Sequence, residues 1–197
     1  MKKAVSKVVS RLVAEGIVGE EDAPIYHHGL HQIWVTAGNI LVAALVSIAL
    51  GLWLEMLLFL VAYIPIRRHA GGFHAKTEAR CAILSVFTEI AAVLLIRHIP
   101  SLWAALALML SSVVILILAP VESSSKPLDA LERVVYRRRA LCILTAHWII
   151  AATGSTLRLA ILLRVIGVAD ILMAVMLIMG VCKNRFGLQR AAPSSSI

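Results

Sequence analysis

The chain has 197 residues, 60% of them hydrophobic, with a formal charge of +8 and a mean hydropathy of +0.91. A soluble domain of this size is nearer ~45–50% apolar, and the excess falls in continuous Leu- and Ala-rich blocks without polar alternation, which excludes a β-barrel reading. The basic residues lie between those blocks, so membrane topology and anionic lipid account for them, and no basic-aromatic surface motif speaks for nucleic acid.

Residues 1–18 set Val5, Val8, Val9, Leu12, Val13 and Ile17 against Lys3, Lys7, Ser10 and Arg11. This is the period of an amphipathic helix with a basic face. It has no uncharged central run and is not a secretory signal. The expectation is an interfacial helix lying along the membrane surface, the alternative being a helix packed on the rest of the chain. A polar break, GEEDAPIYHHGLH, follows. His27, His28 and His31 within it have helical spacing, but no carboxylate or thiol stands three or four residues from them, so no metal site is expected.

Apolar blocks are placed at 33–50, 52–66, 82–97, 101–119, 140–157 and 159–181. Each approaches the ~20 residues a membrane-spanning helix needs. Gly51 and Pro100-Ser101 turn two tight hairpins, and Gly154-Ser155 favours close helix packing. Residues 120–139 form the longest internal polar segment, and 184–197 a polar tail expected to be disordered. The fold class is therefore all-α: one integral membrane domain, a polytopic bundle of about six transmembrane helices over 33–181. With the N-terminus in the cytoplasm, sixteen of the nineteen lysines and arginines fall on cytoplasmic segments. Both termini are then cytoplasmic. No internal repeat of the kind found in many transporters is present.

Four charges remain inside the apolar blocks: Glu55, Glu89, Arg164 and Asp170. Each costs ~2.5–3.5 kcal/mol at a helix centre, so they are expected to pair or face the bundle interior, Arg164 with Glu89 being one such pairing. Hydration of Glu55 and Arg164 near the outer surface is the alternative. Three cysteines, Cys81, Cys142 and Cys182, are far apart and carry no zinc spacing, so neither a disulfide framework nor a metal is expected. Cys142 and Cys182, like His147, sit in or beside apolar helices and are read as packing residues.

Chemistry concentrates in RRHAGGFHAKTEARC, residues 67–81. A cysteine with a nearby histidine is the minimal nucleophile–base pair. The thiolate is the reactive form, and Arg68, Lys76, Arg80 and a helix N-terminus favour it. His74 and Cys81 are seven apart, ~10.5 Å along a straight helix, whereas base and nucleophile must approach to ~2.6–3.2 Å. The two therefore cannot share one regular helix if they act together. Gly71-Gly72 would let the chain fold back over the start of the next helix. Glu78 is the candidate third group, orienting the imidazole.

This segment resembles the accessory gene regulator protein B family, membrane cysteine endopeptidases of bacterial quorum sensing. The resemblance is carried by Arg67, Gly71-Gly72-Phe73-His74-Ala75 and Cys81, and by Ala119-Pro120-Val121 followed by Lys126-Pro127. It implies that a short precursor peptide docks at the cytoplasmic face of the plasma membrane, and that Cys81 attacks a backbone carbonyl with His74 as base. A thioester would form, then a ring-closed signal peptide. Arg67, Gly71 and Gly72 would support the site, and Lys126 would bind an acidic part of the precursor. No cofactor is implied, and a homodimer is one arrangement open to it. The alternatives from the residues alone are a non-enzymatic transporter or peptide exporter, and a lipid head-group enzyme. The latter would need a carboxylate-rich metal motif that is missing.

Overall fold

The computed structural model describes residues 2–73, 75, 77–122 and 128–191, without the side chains of Lys2, Lys3, Glu78 and residues 186–191. Among these the chain forms seven α-helices and no strand: α1 (Lys2–Ala14), α2 (Ala23–Ala49), α3 (Trp53–Ala70), α4 (Glu78–His98), α5 (Ser101–Leu118), α6 (Ala130–Thr156) and α7 (Ala160–Ala191).

α2, α4 and α6 begin earlier, and α3, α4 and α7 end later, than the apolar blocks, because propensity and capping extend them into polar sequence. Pro24 in the first turn of α2 is pre-shaped for a helix start, so the polar break is largely helical. Half of the 120–139 segment is likewise the start of α6. There Glu132 N donates to Asp129 Oδ1 at 2.6 Å and Asp129 N to Glu132 Oε2 at 3.2 Å, a capping box. The expected disordered tail is corrected over 184–191: α7 continues to Ala191, with Asn184 Nδ2 donating to Glu122 O at 2.8 Å, and residues 192–197 lie outside the described residues. No proline interrupts it before Pro193.

Val5 and Val9 of α1 are buried, and α1 packs against α2. Its apolar stripe is thus only partly covered by the protein: Val8 and Ile17 remain exposed. Elsewhere the outer surface is apolar: Ile33, Leu41, Leu45 and Ile48 on α2 and Leu102, Met109, Leu110 and Ile117 on α5 are exposed. Such a surface suits lipid, not water. Four helices are long and apolar enough to cross a membrane: α2, α4 over Ala79–His98, α5, and α7 over Ala160–Arg185. Of the other long helices, α3 carries Glu55, Arg67 and Arg68, and α6 starts with Arg133, Arg137, Arg138 and Arg139.

α7 is the centre of the bundle, with 61% of its apolar window buried against 11% for α2. It packs on α3, α4, α5 and α6. One core cluster joins Phe59, Val93, Leu108 and Val168; a second joins Ile66, Ile115, Leu144, Met173 and Leu177. At the α6–α7 turn a Cβ on Gly154 would lie 2.7 Å from Leu162 Cβ, so the glycine does permit the close packing expected there.

The in-membrane charges pair differently from the expectation. Arg97 Nη1 meets Glu55 Oε1 at 3.1 Å, with Glu55 only 8% exposed. His147 Nδ1 lies 2.7 Å from Asp170 Oδ1, deep between α6 and α7. His147 therefore serves as a polar partner, not as simple packing. Cys142 and Cys182 are exposed. No ion pair joins Arg164 to Glu89 among the described residues. Glu89 shares a cleft with Met176, and Arg164 lies twelve residues from Met176 along α7, about 18 Å.

Candidate active site

The site begins where α3 stops. Gly71 caps it at φ 74° and ψ −138°, and Gly72 follows at φ 109°. Both conformations favour glycine. The sequence reading treats this pair as a free hinge, but the structure fixes it from two sides. Val121 N donates to Ala70 O at 2.9 Å and Gly72 N to Val121 O at 3.1 Å, forming an isolated parallel bridge. On the other side Phe73 N donates to Met176 O of α7 at 2.8 Å. The approach is so close that a Cβ on Gly71 would lie 2.1 Å from Val121 O, and one on Gly180 would lie 2.9 Å from Phe73 N.

Arg67, in the last turn of α3, donates from Nη1 to Gly71 O and from Nη2 to Phe73 O. Its planar fork spans both carbonyls and holds the turn, which a lysine ammonium cannot copy. The ring of Phe73 lies under the Lys183 ammonium, 5.3 Å from the centroid. The 119–121 segment, entered through a cis Ala119–Pro120 bond, is anchored in turn. Arg137 donates to Ala119 O at 3.0 Å and to Leu116 O at 3.1 Å, and Glu122 pairs with Arg133. The two motifs that are fifty residues apart in the sequence thus meet through backbone hydrogen bonds.

Arg67→Lys is expected to loosen this turn. Losing one charged hydrogen bond of ~1.5 kcal/mol raises local opening about tenfold. The rate of chymotrypsin cleavage after Phe73 in detergent-solubilised protein checks it; an unchanged rate means that the fork does not hold the turn.

Cys81 lies in the first turns of α4, half-buried, its N–H donating to Thr77 O at 3.0 Å. Thr77 caps the helix through Oγ1, which accepts from Arg80 N at 3.4 Å. Cys81, Leu84, Ser85, Thr88 and Glu89 recur at helical spacing and form one wall of a cleft of about 110 Å³. Tyr63 and Arg67 of α3, Phe73 and Ala75 of the turn, and Met176 of α7 complete it. Both chain neighbours of His74 therefore line the cleft with Cys81. His74 and Lys126 lie outside the described residues, as does the Glu78 side chain; Glu78 itself is the first residue of α4. A larger, more open hollow of about 490 Å³ lies between His69 and α6, lined also by Arg138, Arg139 and Cys142. It contains none of the expected site residues.

Tyr63, Ser85, Thr88 and Met176 were not singled out from the sequence. The stripe at 81, 84, 85, 88 and 89 was a signal available on α4. Met176 contributes a backbone carbonyl, which no residue identity reveals.

A protein-family model, accessory gene regulator B, matches residues 5–182. The chain belongs to the accessory gene regulator B family. Members of this family are linked to processing of the signalling peptide in quorum sensing, and the match covers both motifs, the cleft and all the helices in their central parts. Comparisons with curated proteins and with solved structures returned no match.

Proposed function

We propose that this family member is a membrane cysteine endopeptidase that cleaves a short signal-peptide precursor through a thioester on Cys81. The observation that carries the reading is the placement of Cys81 on a cleft walled by Arg67 and by Phe73 and Ala75, the two chain neighbours of His74. In this reading α3 and α6 also cross the membrane, making six spans, and the charge bias of the loops puts both termini and the cleft mouth on the cytoplasmic face of the plasma membrane.

The chemistry runs in one sense. His74 takes the Cys81 proton, and the thiolate attacks the carbonyl carbon of the scissile bond. The tetrahedral adduct collapses, the C–N bond breaks, and the departing amine of the C-terminal fragment takes the proton back from the imidazolium. The N-terminal fragment stays on Sγ as a thioester until a peptide thiol or hydroxyl attacks it and closes a ring. Glu78 orients His74, and Lys126 receives an acidic part of the precursor. A non-enzymatic exporter gives the Cys81 cleft no role.

The thioester tests the reading. Proteoliposomes holding the protein are mixed with a matched precursor and quenched in acid. The Cys81 peptide should gain the mass of the N-terminal fragment less one water, and neutral hydroxylamine should remove it. Cleavage that proceeds with no adduct on Cys81, and persists in Cys81→Ala, overturns the mechanism.

A further inference from the structure

Three carboxylates lie among the apolar helices of the bundle, and two have basic partners: Glu55 has Arg97 and Asp170 has His147. Glu89 has none. Its Oε2 is buried and accepts no hydrogen bond from any described residue. The one guanidinium beside it in the cleft, that of Arg67, is committed to Gly71 O and Phe73 O. An isolated buried carboxylate oxygen in a membrane helix is costly, and such groups mark ligand pathways. Here the oxygen belongs to a residue that lines the same cleft as the cysteine nucleophile.

We infer that Glu89 is a specificity-determining residue that receives a basic side chain of the substrate, beside the bond that Cys81 attacks. The inference rests on the endopeptidase reading for its substrate, a peptide. Distance sets the length of that side chain. Glu89 is eight residues beyond Cys81 on α4, about 12 Å along the helix, so a long side chain such as that of lysine or arginine is needed. Tyr63 and Thr88 flank the path, and Leu84 and Met176 supply apolar walls for an aliphatic stem. The acid thus acts as the counter-charge that Arg97 and His147 provide to the other two.

The test uses the full-length protein in proteoliposomes and reads the Cys81 thiol directly. The probes are 4-aminobutyl methanethiosulfonate, whose chain matches a lysine side chain, and its uncharged butyl counterpart. Modification of the Cys81 peptide is followed by mass spectrometry, and each rate is divided by that reagent's rate with free cysteine. The aminobutyl-to-butyl ratio should be at least about tenfold higher in the native chain than in Glu89→Gln, since one unit charge at short range in a protein interior favours an ammonium by more than that. Glu89→Asp, which keeps the charge, should retain most of the preference, and an unaltered butyl rate shows that the cleft is intact. Equal ratios in native and Glu89→Gln overturn the inference. So does a Cys81 that reacts with neither reagent, because the cleft is then closed to such a side chain. A protein that never cleaves a peptide still answers this experiment, so its failure is separate from failure of the thioester experiment.

Discussion

Cys81→Ala is expected to lower the rate of precursor cleavage by at least about a thousandfold, with the chain still folded and inserted. Removing a nucleophile deletes the covalent route, and what remains is binding and orientation alone. The cleft side of Cys81 is half-buried and its N–H is held within α4, so loss of one sulfur leaves the helix unchanged. His74→Ala should fall by a comparable factor, because a base and its nucleophile act as a unit and their losses do not add. Cys142→Ala and Cys182→Ala are the controls. Both cysteines are exposed and neither lines the cleft, so each should cleave within about twofold of native. Quantitative mass spectrometry of a matched precursor in proteoliposomes checks all four variants. If Cys81→Ala keeps more than a tenth of native activity, Cys81 is not the nucleophile.

Gly71→Ala is expected to take the site apart from the backbone side. Two effects combine. The residue sits at φ 74° and ψ −138°, which only glycine adopts without strain; the cost for another residue is ~1–3 kcal/mol. The new Cβ would also lie 2.1 Å from Val121 O, so the 119–121 segment must move, at a further ~1–3 kcal/mol. Moving that segment breaks the pairing of Val121 with Ala70 and Gly72, and with it the placement of Phe73 and Arg67. We therefore expect a lower thermal denaturation midpoint together with loss of cleavage. Gly38→Ala, in α2 with nothing within 4 Å of its new Cβ, should be neutral or stabilising by ~0.4–1 kcal/mol. Thermal melts of the two variants side by side separate a special glycine from an ordinary one. Equal midpoints would mean that the Gly71 turn relaxes without strain.

The sequence by itself determined the class of this protein. Apolar blocks at membrane-spanning length, an asymmetric distribution of lysine and arginine, and the Gly-Gly-Phe-His-Ala…Cys order are local features, written in residue type and spacing. They led to an all-helical membrane bundle, to Cys81 and Arg67, and to the accessory gene regulator B family. Capping and propensity blurred only the helix ends, as at Pro24, Asp129 and the extension of α7 to Ala191. What the sequence left undecided depends on long-range contacts. Arg97 with Glu55 and His147 with Asp170 are pairs across helices, and no spacing within one helix foretells them; the expected pairing of Arg164 with Glu89 failed for that reason. The Gly71-Gly72 pair reads locally as freedom, yet Val121 and Met176 turn it into a fixed point through backbone atoms that carry no residue signature. Only the packed bundle brings the 119–121 segment to that turn, sets α7 at the centre, and leaves Glu89 in the cleft as the one membrane carboxylate, among the described residues, without a basic partner.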